Sequence, residues 1–207
     1  MAWYDVFSSF YDKSLEKLYA EQRIQAAAAL KLKEGLRVLD LPCGTGQSFD
    51  AVRHAIGGKG ALLGVDASQG MLARAKARVD AHGWSNVSLL HARADELAAA
   101  EVNEALGGRP PQRILCFLGL TAFDDWEASF DHMWSLLAPG GRLVIVDVHA
   151  ERPGFQGKMV EWIAQADLKR QVWAPLEARS KGFTFERFHA HWQHGGDVVI
   201  AAGDKPT

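Results

Sequence analysis

The sequence predicts an α/β chain built on a mostly parallel sheet, and three observations predict it. Short apolar runs recur at 38–41, 61–66, 87–90, 113–118 and 143–149, without the polar alternation of half-exposed strands. Stretches of helical spacing separate them, the pattern of repeated strand-helix units. Near the end, 183–192 alternates, Gly195-Gly196-Asp197 turns, and Val198-Val199-Ile200-Ala201 follows, which predicts a final antiparallel hairpin and seven strands in all.

Composition sets outer limits. A chain of 207 residues with 48% apolar content suffices for one well-buried domain and is short for two. A formal net charge of −2 and a pI near 6.4 supply no general field for nucleic acid. Cys43 and Cys116 fall in or beside predicted inner strands, as buried thiols of a reducing compartment do. No signal-peptide pattern opens the chain and no run of about 18 apolar residues occurs, so a cytoplasmic location without a membrane span is expected.

Residues 1–35 read as two helices, an aromatic-rich one (Trp3, Tyr4, Phe7, Phe10, Tyr11) and a longer one from about residue 14 with Leu15, Leu18, Tyr19 and Ile24 as its apolar stripe. Then comes the stretch that organises the chain. Val38, Leu39 and Leu41 form a strand, Gly44 and Gly46 open a loop that a ligand backbone can approach, and helical spacing resumes from Gln47. Ligands in open α/β sheets sit at the carboxyl ends of such strands, and Asp40 is placed to brace the loop by accepting its amide protons. A dinucleotide fingerprint requires a third glycine where Phe49 stands, and the P-loop pattern occurs nowhere. An adenosyl ligand without a pyrophosphate remains, beside the bland alternative of a tight turn.

The second strand ends on Asp66, 26 positions after Asp40 and close to the ~20-residue offset of a ribose-binding acid. One carboxylate can accept from both hydroxyls of a ribose diol. The competing role is a charge at the helix N-terminus before Ser68, itself a candidate N-cap. Met71, Leu72, Ala75 and Val79 share a face of the helix that follows.

Val87, Leu89 and Leu90 mark the third strand, followed by His91-Ala92-Arg93-Ala94-Asp95-Glu96. A Gly-Gly-Arg-Pro-Pro turn at 107–111 precedes the fourth strand, 113–118. Asp124 and Glu127 have capping-box spacing, and Trp126, Phe130, Met133, Trp134 and Leu137 form a core stripe. Pro139-Gly140-Gly141 turns into the fifth strand, where alternation puts Asp147 and His149 on one side at the carboxyl end. Either can reach a substrate proton there, and His149 has the side chain suited to general-base work near neutrality.

From 150 to 180 two helical pieces divide near Asp167, with Pro175 kinking or restarting the second. Phe155, Met159, Trp162, Ile163, Val172 and Trp173 either wall an acceptor pocket or pack on the sheet. His189, His191 and His194 lie on the solvated alternation of an edge strand with no carboxylate at fitting spacing, so no metal is expected.

The stretches VLDLPCGTGQ, LLGVDASQGMLARAKAR and LLAPGGRLVIVD resemble motif I, the following acidic motif and the post-sheet PGG turn of class I S-adenosylmethionine-dependent methyltransferases. They are most similar to the UbiE-like and type 11 branch. The resemblance runs from about residue 36 to 148 and departs at Pro42, where the family usually has glycine. It implies a Rossmann-like three-layer sandwich with a seven-stranded, mostly parallel sheet and an antiparallel C-terminal hairpin strand.

It also implies S-adenosylmethionine held by Asp40, Cys43, Gly44 and Gly46 in the loop, by Asp66 on its ribose, and by Ala67 and Met71 flanking its adenine. Relatives carry an acid where Arg93 stands, so the adenine amino contact falls to Asp95 or is lost, while the Ala94 amide serves a ring nitrogen. Phe117 closes the fourth strand beside the cofactor, without the Asn/Asp-Pro-Pro-aromatic signature of DNA amino-methylating enzymes. The resemblance makes 1–35 a helical lid, with Tyr11-Asp12 over the cofactor, and 150–180 an insertion over a small-molecule acceptor. Methyl transfer to oxygen, nitrogen or carbon then needs chiefly alignment of the nucleophile, which supplies roughly 7–11 kcal/mol in favourable systems. Two other classes stand beside this: a nucleotide-dependent oxidoreductase, and a cofactor-binding partner protein that methylates nothing.

Overall fold

A computed structural model describes residues 18–189 and 195–207. Seven strands form a single sheet: β1 (Arg37–Asp40), β2 (Ala61–Asp66), β3 (Val87–His91), β4 (Arg113–Phe117), β5 (Arg142–His149), β6 (Lys181–Phe188) and β7 (Asp197–Asp204). Their order is β3-β2-β1-β4-β5-β7-β6. The first five run parallel and β7 lies antiparallel against both β5 and β6, so the expected hairpin closes the sheet. Every residue of β5 is buried, which is why its stretch carries no polar alternation.

Helices cover both faces. On one, α1 (Ala20–Ala29), α2 (Phe49–Ile56) and α3 (Gln69–His82) pack through Ala26, Phe49, Val52, Ile56 and Ala75. On the other, α4 (Ala99–Ala105), α5 (Trp126–Leu136) and α7 (Ala174–Arg179) pack through Val102, Phe130, Met133 and Leu176. Between β5 and α7 lies α6 (Phe155–Ala164). This is the three-layer arrangement the sequence predicts.

Several local expectations change. Ile24 is 69% exposed, because α1 turns Gln22, Ala26 and Leu30 toward the sheet instead. The cap of α5 is Asp125, which accepts the Ala128 N–H at 3.0 Å, one residue after the expected Asp124. On α6, Phe155 and Trp162 are 82% and 70% exposed, so they neither line a pocket nor pack on the sheet. The later piece behaves as core, with Val172 and Trp173 buried and Pro175 in the first turn of α7, while α6 turns Val160 inward instead.

Phe49 stands where a dinucleotide site has its third glycine, and the structure shows how the space is recovered. A Cβ on Gly64 of β2 would lie 2.5 Å from Phe49 Cζ, and one on Gly46 would lie 2.6 Å from Phe49 Cδ2. The glycines have moved to the partners of the aromatic ring. Pro42 is accommodated in the same manner, since a Cβ on Gly119 would collide with its Cδ.

Candidate active site

A cavity of about 340 Å³ opens at the carboxyl ends of β1, β2, β4 and β5, within the usual range of ligand sites. Its floor is the loop after β1, where Gly44 has φ +54° and nothing within 4 Å of an added Cβ. That bare backbone is where a ligand can come close.

The brace of this loop is Asp66 rather than Asp40. Asp66 Oδ2 accepts the Gly44 N–H at 2.8 Å and Oδ1 accepts the Ser68 N–H at 2.8 Å. Burial pushes its carboxyl up, and the Ser68 and Gly44 amides pull it back. The Ala67 amide adds a third such contact, and since a carboxylate has about four acceptor sites, about one remains. Ser68 also caps α3, its hydroxyl accepting the Met71 N–H at 3.2 Å, as the sequence leads one to expect.

Asp40 lies beneath the loop at 1% exposure, and neither carboxylate oxygen has a hydrogen-bond partner among the described residues. Burial pushes it well above the ordinary carboxylate range, while the positive charge of Arg23 opposes the shift. Cys43 beside it is a thiol raised by the same burial.

Of the residues singled out in the sequence, Cys43, Gly44, Asp66, Met71 and Phe117 line the cavity. Gly46 stands one turn behind, with φ +77°, and Ala67 accepts a contact from the His91 ring at 2.9 Å through its carbonyl. Arg93 and Asp95 do not line the cavity; they pair with each other at 3.1 Å, and Arg93 reaches Asp124 at 3.5 Å. This pairing holds the Asp95 carboxyl below its ordinary value. Ala94 is buried. Tyr11 lies outside the described residues.

His149 is placed apart from the cavity lining. It is 4% exposed, its ring meets that of Trp173 edge-on at 4.9 Å, and neither ring nitrogen has a partner among the described residues. Asp147, two positions earlier, does line the cavity.

Other lining residues are not marked as a site by the sequence, although Tyr19 belongs to the predicted apolar stripe. Tyr19 and Arg23 sit one helical turn apart, and both meet Phe117: Tyr19 edge-on at 6.1 Å, and Arg23 with its guanidinium carbon 5.1 Å from the ring centre. The predicted stripe includes Tyr19 but continues to Ile24, and so passes over Arg23 at the i, i+4 position. Thr121 binds Asp147 from a separate strand end, which spacing along the chain does not reveal.

Residues 38–141 match the family described as a methyltransferase domain. The chain belongs to it. The branch is the class I, S-adenosylmethionine-dependent one, consistent with the sheet order found here. An arsenite methyltransferase of Aquipseudomonas alcaligenes is 34% identical over 125 residues, covering 58% of this chain and 35% of that protein. A demethylmenaquinone methyltransferase of Bacillus velezensis is 28% identical over 154 residues, covering 74% of this chain and 62% of the relative. The chain thus matches only part of each relative's length. Among solved structures, the N-methyltransferase NodS of Bradyrhizobium japonicum with S-adenosyl-L-homocysteine superposes with a TM-score of 0.72 at 16% identity, covering 92% of this chain and 88% of that one; at that identity the likeness is one of fold.

The methyltransferase domain fits its family's cofactor on structural grounds. Asp40 offers two unpartnered buried oxygens, Gly44 a cradle that a side chain would fill, and Asp66 a remaining acceptor site at the end of β2. Apolar Met71 and Phe117 stand beside them.

Proposed function

We propose that this protein methylates a small-molecule acceptor with S-adenosylmethionine. The observation that carries the reading is the pairing of Asp66 with the Gly44 loop: one carboxylate orders the glycine turn and also lines the cavity with an acceptor site to spare. The cofactor supplies a methyl group already activated by positive sulfur. Asp66 would hold the ribose hydroxyls, Met71 and Phe117 would bury apolar surface, and Asp40 with Arg23 would meet the two charges of the amino-acid end. Gly44, with no side chain, keeps the approach open.

The N-terminal helical segment within 1–35 and the insertion 150–180 are proposed to close a single domain over this cavity. Supporting this, Tyr19 and Arg23 come from the first and Val160, Ala164 and Leu168 from the second. No helix among the described residues is long and apolar enough to cross a membrane. A reducing compartment such as the cytoplasm is proposed because Cys43 and Cys116 are both free, buried thiols.

Calorimetry with S-adenosylhomocysteine tests the reading. Asp66→Ala should weaken binding by about 2 kcal/mol, roughly 30-fold. Unchanged affinity would remove Asp66 from the ribose role, and a wild-type chain that binds neither S-adenosylhomocysteine nor S-adenosylmethionine would end the proposal.

A further inference from the structure

The acceptor end of the cavity places two polar side chains, Thr121 and Asp147, among the apolar walls of Leu118, Phe123, Val160 and Leu168. Both are buried, at 4% and 1% exposure. Thr121 donates its hydroxyl proton to Asp147 Oδ1 at 2.6 Å and its N–H to Oδ2 at 3.1 Å, and the Val148 N–H donates to Oδ1 at 3.0 Å. A hydroxyl carries one proton and two lone pairs. With that proton committed to the carboxylate, the Thr121 oxygen has only lone pairs to offer a ligand. An ionised carboxylate also only accepts. Through these two side chains the site satisfies a ligand's donor and leaves a ligand's acceptor unpaired, a mismatch that discriminates strongly in a buried setting.

We propose that the Thr121–Asp147 pair selects the methyl acceptor by taking a hydrogen bond from an O–H or N–H group on an otherwise apolar small molecule. This rests on the methyltransferase reading above and adds the class of acceptor. The atom bearing that proton is then also the nucleophile. When it reacts, its bonding pair stays on oxygen or nitrogen, its proton passes to the Thr121 oxygen, and the Thr121 proton passes to Asp147, which becomes a carboxylic acid. His149 shares the strand face but has no place in the cavity lining.

Burial pushes Asp147 up to about 6 against the opposing Thr121 and Val148 hydrogen bonds. The groups that meet it are Cys116 on β4 and the Thr121, Val148 and Leu120 amides. Arg170 and Asp167 after α6 and His149 on β5 are the nearest other titratable groups along the elements around Thr121 and Asp147. Arg170 is committed to the carbonyls of Leu120, Thr121 and Phe123 and to Asp167. Once protonated, Asp147 donates to the Thr121 oxygen, the hydroxyl proton is released to the cavity, and the pair begins to serve ligand acceptors instead.

Phenol and anisole differ in this one O–H, and their binding to the full chain saturated with S-adenosylhomocysteine is measured by ligand-observed NMR. At about pH 8 phenol should bind roughly tenfold tighter than anisole, and by about pH 5 the difference should close. Thr121→Val should abolish the preference, Thr121→Ser should restore it, and Asp147→Asn should remove its dependence on pH. Equal binding of the two probes by the wild-type chain at the higher pH, binding of neither, or an unchanged preference in Thr121→Val overturns the proposal. Calorimetry with S-adenosylhomocysteine on the same samples separates the two readings. A chain that holds this compound without discriminating the probes loses the acceptor assignment alone, and one that does not hold it loses both.

Discussion

The end of the cavity proposed to hold the cofactor is made by residues near one another in the chain, whereas the end proposed for the acceptor is assembled from segments far apart. Gly44, Asp66, Ser68 and Met71 belong to two neighbouring strand-helix units, and hydrogen bonds between them hold the turn. Thr121, Asp147, Val160 and Leu168 come from the ends of β4 and β5, from α6 and from the segment after it. The first end relies on backbone conformation and amides, which tolerate few residue types. The second relies on burial and one side-chain pair, which many sequences can supply.

The contrast can be broken at either end, and the largest effect is expected where packing is tightest. Gly64→Val would drive a side chain into Phe49 and Leu89, since even a Cβ there lies 2.5 Å from Phe49 Cζ and 3.0 Å from Leu89 Cδ2. It should cost about 3 kcal/mol in urea unfolding. A loss below about 0.5 kcal/mol would show that Phe49 moves freely and that the glycine turn is not held by packing.

At the acceptor end the expected effect is similar in size but depends on pH. Asp147 sits at about 6 in the folded chain against an ordinary 3.8, so between those values the folded state binds this proton more tightly than the unfolded one. Stability relative to Asp147→Asn should therefore rise as pH falls from about 6 to about 4, by on the order of 3 kcal/mol. The same contribution is lost as pH rises through the folded value. A difference curve that stays flat across that window would mean that Asp147 is not strained by burial, and the distinction between the two ends would narrow.

The smallest effect belongs to a local signal. Ser68→Ala removes the hydroxyl that accepts the Met71 N–H and should lower stability by about 1 kcal/mol. It leaves the Ser68 amide free to donate to Asp66, so S-adenosylhomocysteine affinity should stay within about twofold of wild type. A large loss of affinity would tie the cap itself to ligand binding.

These differences explain which residues were legible. Seven strands, the glycine turn, Asp66 and the Ser68 cap each rest on a pattern within a few positions, and the structure places them near their expected boundaries. Asp40 has the type and position of a brace, but which acid meets the Gly44 amide depends on the neighbouring strand, and it is Asp66. Ile24 and Trp162 face outward: an apolar stripe says that some face buries without saying which helix rotation the sheet accepts. Asp147 and His149 have the same strand parity, yet only one reaches the cavity, since Trp173 from 24 positions downstream covers the other.

By itself the sequence determined the order of strands and helices, the turn that admits a ligand backbone and the acid one strand over. Those depend on dihedral preference and on spacing within single strand-helix units. Only the tertiary structure decided that Phe49 finds its room in Gly64, that Pro42 finds its room beside Gly119, and that Thr121 commits its proton to Asp147. Each of these is a contact between surfaces brought together by sheet register and helix rotation, and such contacts have no fixed separation along the chain.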